Sequence, residues 1–171
     1  MHASLDTPSG WVVRWAPLVA RGPVLDVASG AGRHAKLFAA RGLEVVAVDR
    51  DPQVIAGVRF VRADLEDGRP WPFAGQQFGG IVVTNYLHRP LLSVLAGGLA
   101  EGGILIYETF MLGNERVGKP SNPNFLLRPG ELLQAFGALT VVGFEQGTTD
   151  KAVVQRICAI RGQANSVRIS S

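Results

Sequence analysis

Short apolar runs recur along the chain, and most end in a polar side chain. They are Val24–Val27, Leu43–Asp49, the alternating Val58–Ala63, the run within Gln77–Asn85 and Ile104–Phe110. Runs of four to eight residues that are apolar on both faces predict buried strands of a parallel sheet. Between them the spacing turns helical. Trp11 and Trp15 lie four apart in a predicted helix over Trp11–Val19, with Ser9 as its cap. A second helix is expected over Arg33–Arg41, where Leu37 and Phe38 face inward and Gly42 is the stop. Asp51-Pro52 predicts a short third helix, ended by Gly57. Leu91–Leu99 predicts a fourth and Pro129–Ala138 a fifth. The segments Leu139–Glu145 and Lys151–Ile160 then read as consecutive strands joined by a turn. Two stretches break the alternation. Asp67–Gly75 carries two prolines and two glycines and reads as a loop, with Trp71 and Phe73 plugging it onto the core. Gly113–Arg128 is long and polar, as lids and binding loops are.

Alternating strands and helices predict an α/β sheet with helices on both faces. Right-handed crossovers then bring the strand ends carrying Asp26, Asp49, Asp64 and Asn85 to one edge, where such folds bind ligands.

Composition narrows the class. The chain has 171 residues, 47% hydrophobic and 18% charged, which is enough for a single domain with its own core. The net charge is only +3 and no run of five cations occurs, so a nucleic-acid partner is not indicated. No apolar run is long enough to cross a membrane, and residues 1–6 lack a secretory pattern. The lone cysteine, Cys158, lies in an apolar strand and reads as a buried, inert thiol. These features point to a cytoplasmic protein. His2, His34, His88 and one cysteine give no metal-ligand spacing.

The chemistry centres on Val24–Ala35, a strand, a glycine turn and a helix start. Gly30 and Gly32 let the backbone bend and approach a ligand, and the helix aims free N–H groups at the same space. Gly30-x-Gly32-x-x-Ala35 fits the loose dinucleotide fingerprint. Asp26 argues against a pyrophosphate, which it would repel, and for a cationic ligand.

The run Asp26-Val27-Ala28-Ser29-Gly30-Ala31-Gly32 resembles motif I of class I S-adenosylmethionine (SAM) methyltransferases, with Ala28 in place of the first glycine. The resemblance covers about residues 24–160. It implies a Rossmann-like doubly wound sheet of seven strands in the order 3-2-1-4-5-7-6, with strand 7 antiparallel. A lead-in and helix over 1–20 and a frayed 163–171 tail would flank this core. In size the chain is similar to the compact tellurite-resistance and thiopurine methyltransferases.

The same resemblance implies site residues. Ala28, Ser29, Gly30 and Gly32 form the cofactor turn, and Asp49 meets the ribose hydroxyls. Arg50 covers the adenine face, Asp64 and Leu65 meet the adenine edge, and Thr84 and Asn85 lie beside the methyl group. Arg14 either lies on the surface or reaches the carboxylate of the ligand. Asn85, Tyr86 and His88 are the catalytic candidates, with His88 either a general base or a packing residue. Tyr107 and Glu108 are placed toward the substrate, and Asn114, Arg116 and Asn124 are candidate selectors in the loop.

Methyl transfer from a sulfonium is a direct in-line displacement that needs positioning and no metal. The expected cofactor is SAM and the expected acceptor a small molecule. An NAD(P)-dependent oxidoreductase, a non-catalytic SAM-binding module and an RNA or protein methyltransferase are the alternatives. The sequence is silent on oligomeric state.

Overall fold

The computed structural model describes residues 6–171, so His2 and the start of the lead-in lie outside the described residues. Seven strands form one sheet in the order β3-β2-β1-β4-β5-β7-β6. They are β1 (Val24–Val27), β2 (Val45–Asp49), β3 (Arg59–Arg62), β4 (Phe78–Thr84), β5 (Leu99–Phe110), β6 (Thr140–Thr148) and β7 (Val153–Ile160). All neighbours pair parallel except at β7, which runs antiparallel to both β5 and β6. The expected topology is the observed one.

The central strand β1 is buried at every position. Its residues alternate between two apolar layers, which is why its sequence reads as unbroken hydrophobicity. Leu25 and Val27 join Val46, Val83, Leu105 and Tyr107 on one face. Val24 joins Ala47, Val82, Ile106, Trp11 and Phe38 on the other. Helix α1 (Gly10–Trp15) covers this second face together with α2 (Arg33–Ala40). Ser9 caps α1 by accepting the Trp11 N–H. Helices α3 (Leu92–Gly97) and α4 (Glu131–Ala135) cover the first face through Leu92, Leu95 and Leu132.

Several boundaries differ from expectation. The Asp51-Pro52 segment forms no helix. The Asp49 carboxylate takes the Asp51 N–H, Val54 is fully exposed and only Ile55 is buried, so one apolar contact is left to repay nucleation over six residues. The expected helix from Leu91 to Leu99 is a 3-10 turn (Arg89–Leu91) followed by α3, and β5 already starts at Leu99. The tail is not frayed throughout: Ala164–Ser166 make a 3-10 turn, and Val167 packs against the α1 layer. Phe73 plugs the 67–75 loop as expected, buried edge-to-face between Trp71 and Phe78. Among the described residues, no helix is long and apolar enough to cross a membrane.

Candidate active site

The C-terminal ends of β1 to β5 open onto a cavity of about 470 Å³. From the glycine turn Ala28 lines it, while Ser29, Gly30 and Gly32 lie outside its wall. The Ser29 N–H donates to the Val48 carbonyl at 3.0 Å, and the Gly32 N–H closes the turn on the Ser29 carbonyl. Ala28 lines the cavity with φ +52°, a left-handed conformation that costs a non-glycine residue free energy. Gly32, at φ +84°, has a second constraint: a Cβ there would come within 2.5 Å of Ile55. Gly30, at φ +54°, has open space where a Cβ would stand, so its constraint is the backbone conformation alone.

Asp49, at the tip of β2, faces the cavity. One carboxylate oxygen accepts the Gly30 N–H at 2.8 Å and the other accepts the Asp51 N–H at 3.0 Å. Each oxygen has a second lone pair, so the group is fixed and still able to accept from a diol. Asp64 takes the Glu66 N–H on one oxygen. Asp64, Leu65 and Arg50 all line the same end. Four carboxylates (Asp49, Asp51, Asp64 and Glu66) face this cavity against one cation, Arg50. That balance suits a positively charged ligand.

The sequence reading assigned this electrostatic role to Asp26, and the structure moves it elsewhere. Asp26 is buried behind the turn and accepts the Ala35 N–H at 2.9 Å, fastening α2 to β1. Desolvation pushes its carboxyl up to about 7, partly offset by the Ala35 hydrogen bond and by Arg33. Asp26 holds the turn in place; the acids that face the ligand space come from β2 and β3.

Arg14, expected either on the surface or at the ligand carboxylate, lies on the surface. Its guanidinium stacks 4.7 Å from the Trp15 ring and pairs with Glu145, in a separate groove between α1 and β6. The surface half of its expected alternatives is what the fold builds. His34 sits behind the turn on α2. Its Nε2 accepts the Ser9 N–H at 2.9 Å, which leaves the proton on Nδ1, 3.4 Å from Thr84 Oγ1. Burial and Arg33 lower its pKa to about 4, so the ring is neutral. Thr84 is thereby turned toward His34.

Beyond β4, Asn85 adopts φ +55° and lines the cavity with Tyr86 and Leu87. The Tyr86 hydroxyl donates to Glu66, and the Tyr86 carbonyl accepts the buried Tyr107 hydroxyl at 2.7 Å. Burial and then Glu66 raise the Tyr86 pKa, so the phenol stays protonated. His88 does not reach this cavity. It points into a neighbouring one, behind Asp64–Glu66, with Nδ1 3.6 Å from Glu66. Tyr107 is buried in the core, and Glu108 is held by Ser9 Oγ and Arg156 Nε on the α1 side. Neither faces the substrate space.

The 113–128 loop contributes differently from expectation. Asn114 is buried and structural, accepting the Val153 N–H and donating to the Pro120 carbonyl. Arg116 and Asn124 are exposed and absent from the cavity wall. The loop offers Pro120 and Phe125 instead, which join Thr109 and Phe110 from β5. Sequence reasoning missed all four, because they are apolar or neutral residues with no motif.

Residues 25–105 match the family described as methyltransferase domain. No curated protein matches the chain. Solved structures with this fold include TehB from Haemophilus influenzae, at 18% identity and a TM-score of 0.73. That match covers 90% of this chain and 62% of TehB, so the chain spans under two thirds of TehB's length. The N-methyltransferase NodS from Bradyrhizobium japonicum overlays with a TM-score of 0.64 at 14% identity, covering 95% and 94% of the two chains. The glycopeptide N-methyltransferase MtfA, complexed with S-adenosylhomocysteine (SAH), overlays with a TM-score of 0.58 at 16% identity, covering 87% of each chain. The strand order is that of the class I methyltransferase fold.

Proposed function

We propose that this SAM-dependent methyltransferase of the class I fold methylates a small, uncharged acceptor held between Tyr86, Phe110 and Phe125. We read residues 1–171 as one such domain, working in the cytoplasm, where a lone buried thiol needs no partner. The observation that carries the reading is the arrangement of Asp49. Its carboxylate is pinned to the Gly30 N–H, faces the cavity and keeps a free lone pair on each oxygen.

SAM supplies an activated methyl on a sulfonium, and the protein has to place the acceptor in line with it. Asp49 accepts from the ribose hydroxyls. Asp64 and the Leu65 backbone meet the adenine edge, and Arg50 lies along its face. The four facing carboxylates favour the sulfonium over neutral SAH, which helps the product leave. Ala28, Ser29, Gly30 and Gly32 give the turn its shape, and Asn85 and Tyr86 border the transfer space. Thr84, Asp26 and His34 hold these groups from behind.

Among the described residues, no histidine or ionised phenol borders the acceptor end. An acceptor whose nucleophile is neutral and already carries a free lone pair, such as a weakly basic amine, fits such a wall. Titration calorimetry with SAM and SAH is the test. Binding of both, with SAM the tighter, is the expected result. Binding of neither, with uptake of NADH, overturns the reading.

A further inference from the structure

We propose that Phe125 decides which acceptors the cleft admits, and that Arg89 is the positioning residue that holds Phe125 at the wall. This rests on the methyl-transfer reading above. Phe125 ends a 3-10 turn (Pro123–Phe125) whose local support is the Asn122 side chain accepting the Asn124 N–H. The ring is about half exposed, at 48%, although it lines the cavity. Its own burial therefore does little to hold it.

Arg89 supplies the missing constraint. Its Nη1 donates to the Asn124 carbonyl at 3.0 Å and its Nη2 to the Leu126 carbonyl at 2.9 Å. These two carbonyls bracket Phe125. The guanidinium is held by a bidentate pair with Glu131, Nε to Oε2 at 2.8 Å and Nη2 to Oε1 at 3.0 Å. Glu131 is in turn fixed, because its buried carboxylate also takes the Arg128 N–H. Arg89 follows Leu87 by two residues, and Leu87 lines the opposite part of the cavity with Asn85 and Tyr86. One side chain thus ties the wall after β4 to the wall carried by the loop. A planar fork of five donors can satisfy all four contacts, and a lysine cannot.

The test measures the apolar end apart from the cofactor end. The protein is saturated with SAH, and binding of the uncharged fluorescent probe N-phenyl-1-naphthylamine is followed. Phe125→Ala is expected to weaken the probe about tenfold. Arg89→Ala is expected to weaken it about fivefold, and Arg89→Lys by nearly as much. In the Phe125→Ala background, Arg89→Ala is expected to change it less than about twofold, because the arginine acts through that ring. Calorimetric SAH affinity is expected to stay within about twofold in every variant. If Arg89→Ala does not fold, Arg89→Lys takes its place in the cycle.

Additive losses in the double variant overturn the positioning role, since general loosening of the loop would produce them. An unchanged probe affinity in Phe125→Ala, or no probe uptake by the unmodified protein, overturns the role of Phe125. Failure of the unmodified protein to bind SAH strikes the methyltransferase reading instead.

Discussion

The end of the cleft floored by β1, β2 and β3 and the end closed by the 113–128 loop hold their shapes through contacts of different reach. At the first end, the Asp49 carboxylate meets N–H groups 2 and 19 residues away, and Asp64 meets one 2 residues away. At the second, Asn114 reaches Val153 across 39 residues and Arg89 reaches Glu131 across 42. Buried Gln155 joins that end too, accepting the Leu132 N–H and donating to the Arg128 carbonyl. A cofactor site can be written in short turns and strand ends, and variation in the loop leaves it intact. On the proposed reading, an acceptor wall assembled from distant segments is expected to tolerate change with the cofactor end intact.

The largest expected effect comes from behind the first end, at Asp26. Its native pKa of about 7 lies above the ordinary 3.8, so burial favours the protonated form. Stability from this group is present at low pH and is lost as the pH rises from about 4 to 7, on the order of 4 kcal/mol at most. His34 works the other way. Its pKa falls from 6.5 to about 4, so the stability it gives is present above 6.5 and is lost as the pH falls through 4. Asp26→Asn keeps an oxygen for the Ala35 N–H and carries no charge. Urea denaturation is expected to show this variant more stable than its parent at pH 8. The gain vanishes near pH 4, and the decline due to His34 stands out between 6.5 and 4. A parent that is the more stable at pH 8 would mean that the buried carboxylate is repaid in full.

At the second end, Asn114→Ala leaves the buried Val153 N–H without its acceptor and the Pro120 carbonyl without its donor. A loss of about 3 kcal/mol in unfolding free energy is expected, with SAH affinity unchanged at low temperature. A matching loss of SAH affinity would show that the two ends are coupled.

Asp49→Ala should weaken SAM by about 2 kcal/mol, roughly 30-fold, measured by calorimetry. Affinity within about twofold of the parent would remove the ribose contact. The smallest change is expected from Tyr86→Phe. It removes a 3.3 Å hydrogen bond to Glu66, and SAM affinity should move by less than about 1 kcal/mol. A drop in turnover beyond tenfold in this variant would give the phenol a direct role in transfer.

The same contrast in reach explains what could be read before the structure. Strand order, the glycine turn, Asp49 and Asp64 carry local signals, and each lies where its pattern places it. Asp26 was legible as an acid beside the turn, but its direction depends on strand parity. It shares a side of β1 with Val24, toward α1 and α2, and away from the cleft. His88 follows a cavity-lining segment in sequence, yet extended backbone at φ −132° sends it behind Glu66. The two alternatives for Arg14 were separable only by its partners, since Glu145 and Trp15 hold it on the surface groove. Phe125 and Arg89 had no signal at all, since neither means anything until residues 89, 125 and 131 meet.

Cys158 lies in the middle of β7, fully buried, with desolvation pushing its thiol up to about 12. On the reading proposed above, the cleft holds a methylating electrophile, a reagent that soft nucleophiles consume. The softest atom in this chain is held as S–H and out of reach. Burial keeps this thiol away from an electrophile in the cleft, and purification in air without a reductant is expected to give no cross-linked dimers.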